Sequence, residues 1–109
     1  MTIDGPSKQL VFEGNRIQLT CHYSTFTAAS EVQWKRNGIL ISRNATMENG
    51  ARGTITHFNE RQLQLTIASS NSQDAGNYTC IVIVVVLLWS TQRANATTQI
   101  EIQGLFINY

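Results

Sequence analysis

The sequence predicts an all-β domain, a sandwich or a barrel. Three observations carry that expectation. Apolar residues recur with period two in short runs, as they do on half-buried strands. Turn-forming residues separate those runs every ~8 to 12 residues. No stretch holds a 3.6-residue period long enough for a helix beyond one short turn at Ser69 to Gln73. The chain has 109 residues, room for one hydrophobic core and too little for two.

The strands follow in order. Ser7–Phe12 opens the series and Glu13-Gly14-Asn15 breaks it. Arg16–Tyr23 alternates, with Ile17, Leu19 and Cys21 on one side and Gln18 and Thr20 on the other. Val32–Arg36 alternates around Trp34, and Asn37-Gly38 is a tight hairpin signal leading into Ile39–Ser42. Asn49-Gly50 marks the next break, before Gly53–Thr56. Gln62–Ile67 places Leu63, Leu65 and Ile67 on one face. Asp74-Ala75-Gly76 then turns the chain into Asn77–Val84, and Thr98–Gln103 ends the series. The expected inward positions also include Ile55, Tyr78, Cys80, Val82, Ile100 and Ile102.

Composition narrows the function classes. Apolar residues make up 42% and charged residues only 14%, against a typical charged share of about 25%. The surface is therefore built largely from Ser, Thr, Asn and Gln. The net charge is +1 with no basic stripe, so nucleic acid finds no electrostatic footprint. The two cysteines, Cys21 and Cys80, lack the spacing of a zinc or redox motif. One long-range disulfide in an oxidising compartment, or two buried thiols in a reducing one, would both fit.

Four features converge on a family. Cys21 lies mid-strand, Trp34 sits inward on the next strand, and Leu63, Leu65 and Ile67 alternate before the last feature. That feature is Asp74-Ala75-Gly76-Asn77-Tyr78-Thr79-Cys80, which reads D-x-G-x-Y-x-C. The pattern resembles the immunoglobulin superfamily over about Lys8 to Gln103. The resemblance implies a two-sheet Greek-key β-sandwich with a Cys21–Cys80 bridge between the sheets. Such a bridge closes a loop of roughly 60 residues, worth roughly 4 kcal/mol in the chain-entropy model. It further implies that Trp34 packs on the bridge and that the Tyr78 hydroxyl bonds back to nearby backbone. Gly76 would allow the tight corner before it, and Arg52 would pair with Asp74 at the base of the sandwich. The interval from Trp34 to Arg52 is too short for a long extra strand, which suits the intermediate (I-set) type or a shortened variable-like one. Residues 1–6 are then expected to be a leader segment, 7–103 the domain, and 104–109 a linker or tail into a larger parent protein.

The chain departs from the family pattern after Cys80. Ile81-Val82-Ile83-Val84-Val85-Val86-Leu87-Leu88-Trp89 runs on without a polar residue. It is too short for a membrane span, which needs about 20 residues. Ser90–Ala96 is expected to be part of a lengthened connection before the last strand. Strand alternation turns Ile81, Ile83 and Val85 outward, with Leu87 and Trp89 next in the row, and a bulge would flip that phase. Three readings compete: an exposed hairpin that meets a partner, a hairpin collapsed onto its own domain, or a variant stretch with no selected role.

Chemistry is otherwise sparse. Asn44, Asn77 and Asn95 each begin an N-x-T glycosylation sequon; Asn44 and Asn95 are expected in loops, and Asn77 outward beside Tyr78. His22 and His57 have no ligand at metal spacing, Glu48 and Glu60 no paired acid, and no G-x-S-x-G or phosphate loop occurs. The sequence calls for no enzyme activity, no metal, no cofactor and no small-molecule substrate.

The resemblance implies a protein–protein recognition module of the extracellular space or cell surface, in adhesion or as part of a receptor ectodomain. A membrane-anchored parent and a homodimer both fit. Partner contact is expected on the sheet holding Trp34, Tyr78 and Ile100, through Ile81, Ile83, Val85, Leu87 and Trp89. Gln33 and Lys35 stand beside them, and Gln99 and Glu101 would form a polar rim. Two competitors remain: an intracellular structural module of the giant-muscle-protein type, and a variable-type immune-receptor domain.

Overall fold

The computed structural model describes residues 2–4, 7–24, 31–87 and 90–104. The chain runs β1 (Thr2–Asp4), β2 (Lys8–Phe12), β3 (Ile17–Ser24), β4 (Glu31–Arg36), β5 (Ile39–Arg43) and β6 (Thr46–Met47). It continues through β7 (Thr54–Phe58), β8 (Gln62–Ile67), a 3-10 turn (Ser72–Asp74), β9 (Gly76–Leu87) and β10 (Ser90–Gln103). One sheet has the order β1-β3-β8-β7, the other β2-β10-β9-β4-β5-β6. The two face each other as an immunoglobulin-like sandwich. β2 is the parallel member, running beside β10.

Alternation decides the core. β3 buries Ile17, Leu19, Cys21 and Tyr23, while β8 buries Leu63, Leu65 and Ile67. From the other sheet come Val32, Trp34, Tyr78, Cys80, Val82, Val84 and Ile100. Cys21 and Cys80 are bonded across the core, 59 residues apart in sequence. Trp34, a register partner of Cys80, belongs to the same buried cluster. Ile55 and Ile102 are half-buried against it.

Four features differ from the sequence expectation. Thr2–Asp4, expected ahead of the domain, form a strand paired with β3. A register shift in the β4–β5 pair adds a residue to β5. This turns both Ile41 and Ser42 inward, the bending a bulge provides. β6 is a short sixth strand beyond β5, placed by a two-residue turn at Asn44-Ala45. Finally, the last strand, β10, begins at Ser90 rather than Thr98, and β9 ends at Leu87 rather than Val84. The supposed loop is a strand: polar Thr91, Arg93 and Asn95 alternate with Ala94 and Ala96, a period-two pattern whose inward members are small.

Candidate functional site

The base of the sandwich is a structural lock. Arg52 Nε donates to Asp74 Oδ1 at 2.8 Å, and Arg52 Nη2 donates to Asp74 Oδ2 at 3.1 Å and to the Ser69 carbonyl at 2.8 Å. Asp74 is buried, and its Oδ2 also accepts the Asn71 N–H at 2.9 Å. Three N–H donors, two from Arg52 and one from Asn71, thus compensate a buried carboxylate that would otherwise be costly. The carboxylate hydrogen bond and charge push the Arg52 guanidinium above its ordinary value. The Tyr78 hydroxyl donates to the Asp74 carbonyl at 2.6 Å. Burial, with the Asp74 charge second, raises the Tyr78 phenol. At Gly76, with φ at 146°, a Cβ would sit 2.8 Å from Asn37 Oδ1. That oxygen accepts the Asn77 N–H at 2.9 Å, so the hairpin turn at Asn37-Gly38 is stitched to the start of β9.

The outer face of the six-stranded sheet has a different character. Across β4, β9 and β10 its register is unbroken as far as Val85–Thr91. Rungs from β4 through β9 to β10 read Lys35–Thr79–Thr97, Gln33–Ile81–Asn95 and Glu31–Ile83–Arg93, then Val85–Thr91 on the hairpin alone. Ile81 and Ile83 are half-buried in this lattice, and Val85 is 50% exposed. Val84 between them is buried, so the in–out phase holds through Val85. The register shift falls just beyond, between Val85–Thr91 and Leu87–Ser90. The hairpin is therefore a paired ladder out to Leu87. Trp89 lies outside the described residues, as does the side chain of Leu87.

Polar groups frame the stripe. Glu31 accepts from Gln33 and pairs with Arg43 at 3.3 Å. Lys8 pairs with Glu101 at 3.1 Å on the β2 side, where Gln99 lies opposite Lys8. Leu10 and Phe12 of β2 are exposed on the same side of that sheet. Sequence reasoning missed Glu31, Arg43 and Arg93. The first shares the parity of Gln33, and that signal was legible. Arg93 falls in the Ser90–Ala96 stretch, whose small and polar residues predict a loop. The sequon residue Asn95, expected in a loop, sits mid-strand opposite Ile81.

Nothing among the described residues gathers reactive groups. His22 and His57 are exposed on β3 and β7, with β8 between them. No three of His, Cys, Asp and Glu cluster there at metal-binding distance. One groove of about 740 Å³ at the base has Glu13 and Arg52 as its ionisable lining. The second of these is already held by Asp74.

Comparison with known proteins supports the architecture. The chain is 31% identical over 86 residues to the mast/stem cell growth factor receptor kita of Danio rerio, covering 76% of this chain and 8% of that receptor. It superposes on murine CRIg with a TM-score of 0.77 at 14% identity, covering 94% of this chain and 97% of the other. It superposes on a chain of the ZIG-8–RIG-5 IG1–IG1 heterodimer with a TM-score of 0.71 at 16% identity, covering 94% and 87%. A family model described as an immunoglobulin domain matches residues 2–83. With the sandwich, the bridged cysteines and the D-x-G-x-Y-x-C corner in place, the chain belongs to the immunoglobulin domain family.

Proposed function

We propose that this domain is an extracellular recognition module that binds another protein through the outer face of the six-stranded sheet and the long β9–β10 hairpin. One observation carries the reading. The hairpin keeps its ladder out to Leu87–Ser90 while turning Ile81, Ile83 and Val85 away from the core. An apolar row edged by charged and amide groups has the anatomy of a contact surface, with an apolar centre and a polar rim. The disulfide fits an oxidising compartment. The similarity to a growth factor receptor fits a cell-surface setting, and the ZIG-8–RIG-5 complex, a heterodimer of two IG1 domains, fits protein contact as the mode of binding. The contact residues are Ile81, Ile83, Val85, Leu87 and Trp89, with Gln33 and Lys35. The partner is a second copy or a different protein.

Light scattering over a concentration series, beside a Val85→Asp, Leu87→Asp variant, tests this. A concentration-dependent dimer lost in a folded variant supports binding between copies. A monomer in both, equally stable, points to a different protein as partner. A variant that unfolds would show that the row is core, and the reading falls.

A further inference from the structure

The three sequons meet different fates in the fold. Asn44 sits in the left-handed conformation (φ 52°) of the β5–β6 turn, and its Oδ1 accepts the Val32 N–H at 3.0 Å. Asn77 and Asn95 are exposed on the outer face of β9 and β10. They are two rungs apart: Asn77 opposes Gln99, Thr79 opposes Thr97, and Ile81 opposes Asn95. The middle rung is made of the two sequon threonines, whose hydroxyls share a hydrogen bond of 2.9 Å. Among the described residues, no side-chain hydrogen bond engages the carboxamide of Asn95. Two modification signals thus lie on one face, and the second stands beside the first residue of the apolar row.

We propose that Asn95 carries an N-linked glycan that lies over Ile81. It narrows the contact surface set out above: the glycan screens Ile81 with its neighbours Gln33 and Lys35, and leaves the distal rungs, from Ile83–Arg93 onward, as the part a partner reaches in the glycosylated protein. The second half rests on the recognition role proposed above; the first does not. In the transfer, the Asn95 carboxamide nitrogen bonds the anomeric carbon of an oligosaccharide carried on a lipid pyrophosphate. The nitrogen loses one proton, and the lipid pyrophosphate leaves as the sugar–oxygen bond breaks. The product is bulky and solvated and must stay at the surface. An exposed position on a flat strand meets that need.

The distances decide what is covered. Directly opposed side chains have Cβ atoms about 4.5–5.5 Å apart, so the first sugar begins within a side-chain length of Ile81. Val85–Thr91 lies two rungs further out, about 14 Å along the strand at ~3.4 Å per residue. Flat packing of a second sheet onto this face would have to displace the glycan, whereas an end-on approach to the hairpin would not.

The test uses the domain secreted from a eukaryotic host. Enzymatic deglycosylation in ¹⁸O-water, followed by peptide mapping, reads occupancy, with most of the Asn95 peptide expected to be converted. Carbene footprinting then compares the glycosylated protein with Asn95→Gln. Ile81 is expected to label severalfold less in the glycosylated form, with Val85 unchanged. If Asn95→Gln folds poorly, the glycosylated protein deglycosylated after folding serves as the comparison. An unoccupied Asn95 overturns the proposal, and so does equal labelling of Ile81. Neither readout needs a partner, so failure of the recognition role would show separately in the light scattering.

Discussion

The two sheets turn very different faces to water. On the four-stranded sheet, Gln64 Nε2 donates to Thr20 Oγ1 at 3.0 Å, and Thr56 Oγ1 meets Gln64 Oε1 and Thr66 Oγ1 at 2.9 Å each. Side chains from β3, β8 and β7 are tied into one polar ladder. On the six-stranded sheet, the Thr79–Thr97 rung is of the same kind, but the next positions on β9 are Ile81, Ile83 and Val85. Both faces belong to largely antiparallel sheets with one buried side, which ordinarily pair an apolar inner row with a polar outer one. The first sheet shows that Thr and Gln suffice to cover such a strand here. The aliphatic row on β9 is therefore not demanded by the fold, and an exposed aliphatic strand carries an aggregation risk. This difference is the ground on which the proposed contact is placed on the second sheet.

The sharpest way to break this comparison is to move one charge by three residues along β9. Val82→Asp places an unpaired carboxylate at a position that is 0% exposed. It is expected to cost about 4 kcal/mol or more, enough to lose the fold of a small domain. Val85→Asp, at a half-exposed site, is expected to change stability by no more than about 0.5 kcal/mol. Urea unfolding of the two variants measures both. Equal losses would mean that the outer row is packed like the inner one.

The comparison also presumes that the two sheets form one body, which the Cys21–Cys80 bridge secures. Its loop of 59 residues corresponds to roughly 4 kcal/mol of unfolded-state restriction. Unfolding free energies from denaturant titrations with and without reductant are expected to differ by that amount. A negligible difference would show that packing alone holds the faces apart.

Most of the frame was legible in the sequence because period two survives in it. Ile17 to Cys21 and Leu63 to Ile67 read directly as inner faces, and D-x-G-x-Y-x-C marks the corner where Tyr78 meets Asp74. The hairpin was legible only in part. Ile81 to Val85 gave its outward parity, but Ala94 and Ala96 are small, and their polar neighbours made a strand look like a loop. Ile41 and Ser42 were missed for another reason: a bulge puts two successive residues inside, which no alternation rule can show. Thr2–Asp4 are too few for any period, and only pairing with β3 defines them.

Each sheet also buries one tyrosine hydroxyl, and these tyrosines titrate in the same direction. Tyr23 on β3 donates to the Asn59 and Gln62 carbonyls, and Tyr78 on β9 to the Asp74 carbonyl. Burial raises both phenols above their ordinary 10.0. The unfolded chain ionises first, so their contribution is intact below about pH 10 and is lost as pH rises through the raised folded values. Thermal melts from neutral to strongly alkaline pH are expected to stay level and then fall. Tyr78→Phe, which leaves the Asp74 carbonyl short of a donor, is expected to cost about 1–2 kcal/mol at neutral pH and to soften the alkaline fall. An unchanged profile in that variant would assign the alkaline loss to Tyr23 and the other sheet.

The smallest effect on stability is the most direct exchange between the faces. Ile81→Thr gives β9 the side chain that the other sheet uses, and Gln64→Ile gives the polar ladder the side chain of the stripe. The first removes a half-buried aliphatic group and is expected to cost about 1 kcal/mol. The second sits on a solvated strand of good β-propensity and is expected to stay within about 0.5 kcal/mol. Their consequences for association are expected to be opposite. Ile81→Thr in unglycosylated protein weakens whatever contact the outer face makes, because the contact loses part of its apolar centre. Gln64→Ile creates an isolated apolar site without a row or a rim, so light scattering is expected to show the same mass as the parent domain. If Gln64→Ile associates as strongly as the native stripe does, apolarity alone drives the contact, and the arrangement of Ile81, Ile83 and Val85 between Glu31, Arg43 and Arg93 adds nothing. If it does not, the continuous row and its charged frame together make the surface.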